Sequence, residues 1–251
     1  MLDPTKRFSN RVENYLKYRP GYPAGVIDLL KSECGLTAAS VIADLGSGTG
    51  LLSELFLKEG NKVFCVEPNA EMRFAGERVL GKYPNFNSII GTAENTTLPD
   101  HSIDLITAGQ AFHWFNRQVA QREFRRIQTA DGWVVLVWNG FRVERSQLIA
   151  GYQKIVLRYG TDYKEVRREL RALDLEGFFA PGSFKCARFE YQQLFDFEGL
   201  KGRLLSASYV PEANHSNFDP MIAELRDLFE ATQRDGKVVF DYDTEVYYGK
   251  I

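Results

Sequence analysis

The sequence is poor in cysteine and has neither a long apolar run nor an excess of charge of one sign. Its three cysteines, Cys34, Cys65 and Cys186, have no C-x-x-C spacing, so we expect reduced thiols and no metal site. No apolar run approaches the roughly 18 residues that a membrane span needs. The first ten residues also lack the apolar core of a signal peptide. We therefore expect a cytoplasmic protein without a membrane partner.

Charge and size narrow the class of protein further. The chain carries 31 basic and 33 acidic side chains, a net charge of -2, and this balance gives no electrostatic footprint for nucleic acid. Its 251 residues, 44% of them hydrophobic, can bury a large core and predict one domain with an appended subdomain. Nothing in the composition indicates an oligomeric state.

Short apolar runs alternate with helical patterns along the first half of the chain. The runs predict strands over residues 41–45, 63–67, 87–91, 103–107 and 133–138. The helical patterns lie over residues 51–58, 69–80 and 116–128. Such alternation implies right-handed crossovers onto a mostly parallel sheet, which is a Rossmann-like, doubly wound α/β fold.

Other patterns divide the chain into four parts. Apolar residues at helical spacing, ending at Tyr18, predict an N-terminal helical flap over residues 1–22, ahead of the core at 23–140. Two amphipathic helical patterns after Trp138 predict an inserted helical cap over 141–183. Residues 184–251 complete the core sheet, because the alternation from Val238 to Tyr248 predicts a long antiparallel strand in its edge region.

A glycine-rich loop follows the first predicted strand, where α/β sheets bind nucleotide-like ligands. It reads Asp44-Leu-Gly-Ser-Gly-Thr-Gly50, and Leu51 stands where a dinucleotide fingerprint would have its third glycine. Asp44 would repel a pyrophosphate but suits a ligand with an ammonium group and a sulfonium centre. Spacing and charge therefore favour S-adenosylmethionine over NAD. Glu67 ends the second strand, where a carboxylate can accept hydrogen bonds from both ribose hydroxyls.

This loop resembles that of class I S-adenosylmethionine-dependent methyltransferases. The resemblance extends to Val66-Glu67-Pro68 and to Gly91-Thr-Ala-Glu94, and spans about residues 8–139. It is closest to the methyltransferase type 11 group that includes trans-aconitate methyltransferase-like proteins. The motifs in common are Tyr15-x-x-Tyr18-Arg-Pro-x-Tyr22-Pro23, Ala111-Phe-His-Trp-Phe115 and Trp138-Asn139.

The resemblance implies S-adenosyl-L-methionine as cofactor and a set of residues that bind it. They are Asp44, Gly46, Ser47, Gly48, Gly50, Glu67, Pro68, Met72, Thr92, Ala93, Glu94 and Gln110. The loop backbone would face the methionine portion, Glu67 the ribose and Ala93 the adenine edge. Many relatives have an aspartate at the position of Thr92 to accept from the adenine amino group. Here the Thr92 hydroxyl, Glu94 or a water molecule must accept that hydrogen bond.

The acceptor is expected beside residues 109–115, which bring polar and aromatic groups to the end of the fourth strand. Because a sulfonium is already an activated leaving group, the protein has chiefly to align the acceptor and exclude water. His113 is the candidate base, and a hydrogen-bonded structural histidine is the alternative. The candidate acceptor-binding residues are Tyr18, Arg19, Tyr22, Trp114, Trp138 and Arg142, with core or surface packing as the alternative for the aromatic ones.

These features predict an S-adenosylmethionine-dependent methyltransferase of a small molecule, acting at a carboxylate or hydroxyl oxygen. One alternative is a non-catalytic module that binds S-adenosylmethionine or S-adenosylhomocysteine. A nucleic-acid or protein methyltransferase is the other. Against it stand the slightly acidic balance and the absence of an Asn-Pro-Pro-aromatic motif.

Overall fold

The computed structural model describes residues 11–143, 146–165 and 174–251. Within these ranges the helices are α1 (Val12–Tyr18), α2 (Gly25–Cys34), α3 (Ser53–Lys58), α4 (Ala70–Leu80), α5 (Arg117–Ile127), α6 (Gln147–Tyr159), α7 (Leu175–Phe179), α8 (Phe197–Leu205) and α9 (Phe218–Thr232). The strands are β1 (Val41–Leu45), β2 (Lys62–Val66), β3 (Phe86–Ile89), β4 (Ile103–Gly109), β5 (Gln128–Phe141), β6 (Phe184–Phe195) and β7 (Val238–Gly249). None of these helices is long and apolar enough to cross a membrane.

The seven strands form one sheet in the order β3-β2-β1-β4-β5-β7-β6. Strands β1 to β5 are parallel, and β7 lies antiparallel between β5 and β6. The predicted Rossmann-like fold is confirmed, including an antiparallel C-terminal strand in the edge region. The edge strand beyond β7 is β6, which the sequence patterns did not identify. Apolar residues occupy both of its faces, Phe189 and Tyr191 on one and Phe184 and Leu194 on the other, so it lacks a clear alternation.

Helices cover both faces of the parallel part of the sheet. On one face α2 and α3 bury Leu30 and Phe56 against Ile42 and Val135. On the other, α5 and α7 bury side chains such as Phe124 against the neighbouring residues of the same strands. Because successive strand residues point to opposite faces, strands buried on both sides read as continuous apolar runs. This packing explains why the parallel strands could be predicted from apolar runs in the sequence.

A third apolar cluster lies over the far half of the sheet. Helices α6, α8 and α9 pack around Phe240 of β7 through side chains that include Tyr152, Leu200 and Leu225. Helix α6 falls within the predicted cap, but α8 and α9 come from residues 184–251, so that part of the chain is not sheet alone. The second predicted cap helix falls mostly on residues 166–173, and the start of the N-terminal helix on residues before 11; both lie outside the described ranges.

Helix α1 is attached to the end of α8 by side chains that bind backbone carbonyls. Arg11 donates hydrogen bonds to the carbonyls of Leu205 and Val210, at 3.0 and 2.7 Å. Arg19 donates to the carbonyl of Ser206 at 3.0 Å. These bonds hold α1 beside the carboxyl ends of the parallel strands, where the loops of an α/β sheet bind ligands.

Candidate functional site

Two cavities meet at the carboxyl ends of the parallel strands. The first, of about 210 Å³, is lined by the glycine loop, the end of β2 and residues 92–94. The second, of about 320 Å³, lies between α1, the end of β5, α6 and α8. Both are lined by Tyr15, Gln110 and Trp114, so these three side chains form the boundary between the cavities.

The glycine loop brings its backbone to the wall of the first cavity. Gly46 and Gly48 line it with φ values of 65° and 58°, a left-handed conformation that favours glycine. A Cβ on Gly46 would lie 2.7 Å from the Cβ of Ala111, and one on Gly48 would lie 3.2 Å from the Cε of Met72. A ligand can therefore approach the loop backbone more closely than it could approach side chains.

Ser47 and Gly50, two other predicted cofactor residues, line a small cleft beneath the loop instead of the first cavity. Gly50 has a φ of 86°, and a Cβ there would collide with the side chain of Leu80. Gly50 thus allows α4 to pack against the loop. From the motif alone, a glycine needed for packing cannot be told apart from a glycine that contacts the ligand.

Glu67 lies in the wall of the first cavity with its carboxylate held in one orientation. The side chain is 8% exposed, Oε2 accepts from the Gly48 amide and Oε1 from the Asn69 amide, both at 2.8 Å. Burial raises the pKa of this carboxyl. Because a carboxylate oxygen can accept more than one hydrogen bond, both oxygens keep capacity for ribose hydroxyls, the predicted role.

Asp44 lies below the loop and does not line the first cavity. Its two oxygens accept from the Ser53 hydroxyl at 2.5 Å and the Thr107 hydroxyl at 2.9 Å. Burial raises the pKa of Asp44 from 3.8 to about 6. Asp44 therefore affects a ligand through its charge and through the placement of the loop, and not by direct contact.

The sequence left open whether the Thr92 hydroxyl, Glu94 or water accepts the hydrogen bond of an adenine amino group, and the structure bears on the two side chains. The Thr92 hydroxyl oxygen accepts from the amides of Glu94 and Asn95 at 3.3 and 3.2 Å, which leaves its proton to donate. Glu94 accepts from the Asn116 amide through Oε1 at 2.7 Å, and its other oxygen remains available. Both residues line the cavity. The arrangement favours Glu94 as the acceptor for an adenine amino group.

The first cavity fits S-adenosylmethionine in its remaining parts as well. Pro68, Met72 and Ala93 supply apolar surface for an adenine ring, and Tyr15, Trp114 and Phe115 supply aromatic faces near the boundary. Aromatic faces attract a positively charged group. The glycine backbone, a fixed carboxylate and an aromatic end together match the three chemical parts of this cofactor.

The second cavity contains two arginines and no acidic side chain among its described lining residues. Arg203 is 2% exposed, and its Nε donates to the Tyr242 hydroxyl at 2.8 Å. The Arg19 guanidinium lies 5.1 Å from the centre of the Tyr15 ring. Arg19 Nε and one terminal nitrogen of Arg203 are buried and have no hydrogen-bond partner in the described part of the chain.

Of the predicted acceptor-binding residues, Arg19 and Trp114 line this cavity and the other four line neither cavity; His113, the candidate base, also lines it. Arg142 forms ion pairs with Glu190 at 2.9 Å and Asp243 at 3.0 Å. Trp138 is buried in the core, edge-on to the Phe112 ring at 6.2 Å.

Tyr18 and Tyr22 pack against glycines. The Tyr18 ring lies so close to Gly202 of α8 that a Cβ there would collide with it. The Tyr22 hydroxyl would lie 2.6 Å from a Cβ on Gly109, and burial raises the pKa of Tyr22. Both tyrosines support the elements around the site and do not line it.

Arg203 was not found from the sequence. It is a charged residue on the buried face of α8, beside Leu200 and Leu204. Helical spacing of apolar residues around one arginine was the only available signal.

Replacement of Glu67 by alanine should weaken binding of S-adenosylhomocysteine by roughly 1 to 3 kcal/mol, because hydrogen bonds to a charged group are lost. Calorimetric titration measures this change, with Glu176→Ala, an exposed carboxylate of α7, as control. NAD at the same concentration should give no thermal stabilisation. Unchanged affinity in Glu67→Ala would remove Glu67 from the ribose site.

Asp44 should make the ligand-free protein less stable as the pH rises. Because its pKa is raised from 3.8 to about 6, the folded state holds the proton more tightly, and the stabilisation present below about pH 4 is lost as the pH rises through about 6. At about 1.4 kcal/mol for each pH unit between the two pKa values, the loss is roughly 3 kcal/mol.

Urea unfolding between pH 4 and 7 tests this, since Asp44→Asn should lose that part of the slope. The exposed Asp219→Asn is the control and should keep the wild-type slope. Parallel slopes for all three proteins would contradict the prediction.

Comparison with known proteins agrees with this geometry. The methyltransferase domain family matches residues 43–136. A methyltransferase-like protein of Schizosaccharomyces pombe, itself uncharacterised, is 27% identical over 91% of this chain and 88% of its own length. An uncharacterised methyltransferase of Mycobacterium tuberculosis is 33% identical over 65% of this chain and 64% of its own length.

Solved structures share the fold. A protein of Anaeromyxobacter dehalogenans, described as a type II methyltransferase, superposes with a TM-score of 0.72 at 20% identity, over 93% of this chain and 98% of its own. A protein of Anabaena variabilis, described as a methyltransferase from an antibiotic biosynthesis pathway, gives 0.64 at 20% identity, over 94% and 99%. The chain therefore contains a methyltransferase domain, at residues 43–136, and is a methyltransferase that uses S-adenosylmethionine.

Proposed function

We propose that the acceptor is a small molecule with a carboxylate and that a carboxylate oxygen receives the methyl group. The observation that carries this proposal is the pair Arg19 and Arg203 in the second cavity. A buried guanidinium without an anionic partner is unfavourable because its charge has been removed from water. Neither arginine forms an ion pair with a described carboxylate, so an anionic ligand would supply the missing partner.

The position of this cavity supports the same acceptor. Tyr15, Gln110 and Trp114 line both cavities, so a ligand in the second lies next to a cofactor in the first. Bound S-adenosylmethionine supplies a methyl group on a positively charged sulfur, and transfer forms a C–O bond while the C–S electron pair returns to sulfur. The protein's part is to hold the carboxylate in line and to exclude water.

If the acceptor is a carboxylate, His113 does not have to act as a base. A carboxylic acid with an ordinary pKa near 4 is ionised at neutral pH and needs no base, whereas a hydroxyl has to lose a proton. His113 lines the second cavity with its ring 4.5 Å from that of Trp114. In this proposal His113 contacts the acceptor and does not remove a proton from it.

We also propose the family subgroup, the class of acceptor and the cellular location that the sequence predicts. The motif around Trp114 supports the trans-aconitate methyltransferase-like group, and a cavity of about 320 Å³ is of the size that small-molecule sites have. Nucleic acid is not the expected acceptor, because the chain carries a net charge of -2. Three free thiols, one of them exposed, support a cytoplasmic location.

Arg203→Met should reduce kcat/KM for the acceptor by about 100-fold, the loss expected for a buried charged hydrogen bond. The thermal stability of the ligand-free protein should be about unchanged, because removal of a buried charge without a carboxylate partner offsets the lost bond to Tyr242 and the lost contacts with the Phe141, Phe240 and Tyr242 rings. Transfer of labelled methyl from the cofactor to a panel of carboxylic acids measures activity, and alkaline release of labelled methanol identifies an ester.

Arg142→Met is the matched control, because Arg142 is an arginine of the same region that lines neither cavity. It should keep wild-type activity. A product whose label resists alkali, or equal activity losses in both variants, would contradict the carboxylate proposal.

His113→Asn should keep most of the turnover and raise mainly the acceptor KM. If His113 instead removed the proton of a hydroxyl acceptor, its replacement would lower kcat by about 100-fold. The variant would also lack the limb of the pH profile near 6 to 7, where an imidazole ordinarily titrates. The pH dependence of kcat for the wild type and the variant decides between the two acceptors. A histidine-dependent limb would rule out the carboxylate.

A further inference from the structure

Gln110 adopts a backbone conformation that is unfavourable for its residue type. Its φ is 57°, in the left-handed region that a non-glycine residue adopts only at a free-energy cost. The other described non-glycine residues with positive φ, Thr97, His101 and Asp235, are exposed. Gln110 instead lies on the boundary between the two cavities. Such strain at a binding site indicates that the position of the residue matters.

Hydrogen bonds fix the orientation of this residue. Its amide N–H donates to the Val137 carbonyl at 2.9 Å, and its side-chain Nε2 donates to the Asn139 carbonyl at 3.1 Å. Only the nitrogen of the side-chain amide can donate to a carbonyl, so the two ends of the amide cannot be exchanged. The Oε1 atom has no hydrogen-bond partner in the described ranges.

Asn139, the residue that holds this amide, is itself restrained from both sides. Its Nδ2 donates to the Gly21 carbonyl at 3.1 Å, and its Oδ1 accepts from the Thr244 hydroxyl at 2.6 Å. Gly21 precedes α2 and Thr244 is in β7, so Gln110 is connected to elements on two sides of the cavity boundary. A residue with this support keeps its place when ligands enter or leave.

We propose that Gln110 Oε1 is a catalytic group that binds the positively charged, methyl-bearing end of the cofactor and orients it toward the acceptor cavity. The carbonyl oxygen is the negative end of the amide dipole, which attracts a sulfonium but not the neutral thioether left after transfer. An amide oxygen is also a weak nucleophile, so it does not compete with the acceptor for the methyl group. Being uncharged, it does not repel an anionic acceptor.

This role separates Gln110 from the residues that bind the adenosine part. Glu67 and the loop glycines bind parts that are identical in S-adenosylmethionine and S-adenosylhomocysteine. A dipole at the cavity boundary contacts the one group that differs between them. The affinities for the two ligands should therefore respond differently to a change at Gln110.

The test compares binding of the two ligands by calorimetry in Gln110→Met, which keeps a side chain of similar length without the carbonyl. The dissociation constant for S-adenosylmethionine should rise about tenfold, and that for S-adenosylhomocysteine should change by less than about twofold. Equal weakening for the two ligands, or no change for either, would overturn the proposal.

Gln110→Gly separates a functional from a structural role. Glycine relieves the left-handed strain, so its melting temperature should equal or exceed that of the wild type, while discrimination between the two ligands is lost. Asp235→Gly is the matched control, an exposed residue with a φ of 50°, and should keep the discrimination. A lower melting temperature with intact discrimination would show that Gln110 is structural. Because both measurements use cofactor alone, they remain decisive if the acceptor is not a carboxylate.

Discussion

The site depends on the separation of two pairs of like charge, in which Asp44, Glu67 and Arg203 are buried and Arg19 is half-buried. Asp44 and Glu67 lie at the cofactor side, and the charge of Glu67 contributes to the raised pKa of Asp44. Arg19 and Arg203 line the second cavity, the proposed acceptor site, without a described carboxylate partner. All four charges act on the pKa of Tyr15, the acids raising it and the arginines lowering it, although burial has the largest effect. A cationic cofactor and an anionic acceptor would each meet charge of the opposite sign.

Buried charges without an oppositely charged partner lower the stability of the ligand-free protein. Separated acids and bases could have neutralised one another directly, as Glu123 and Arg126 do at 2.7 Å on α5. Here a boundary of uncharged side chains lies between them, which keeps both pairs available to ligands. The stability given up in the free protein is recovered when ligands that bind only the folded state are present.

The cofactor half of the site could be predicted because its determinants are local in sequence. A strand, a glycine turn and the next strand's terminal acid occur within residues 41–67, and periodicity identifies each of them. The acceptor half could not be predicted in the same way. Arg203 lies at the cavity because α8 packs against β7, where Tyr242 accepts its hydrogen bond, and beside α1, a segment about 190 residues away in the sequence.

The pleat of β5 explains why Trp138 and Arg142 line neither cavity whereas Asn139 lines the second. Successive residues of a strand point to opposite faces, so Asn139 and Phe141 face the second cavity. Trp138 points to the opposite face and packs against α5 and α7. Arg142, at the same parity beyond the strand, pairs with outward-facing acids of β6 and β7. The face of a strand that lines a cavity depends on which helices cover it, and that is set by tertiary packing.

The two cavities also differ in which parts of the chain supply their lining residues. The family match covers residues 43–136, which contain the glycine loop, Glu67, Gln110 and the Thr92–Glu94 edge of the cofactor cavity. The second cavity, where we propose that the acceptor binds, draws Arg19 from the segment after α1, Phe141 from the end of β5 and Arg203 from α8, all outside the matched residues. Substitutions there change the lining of the second cavity and leave the residues of the glycine loop and their hydrogen bonds in place. Gln110 lies within the matched residues yet lines both cavities, so a substitution there changes the wall of each of them.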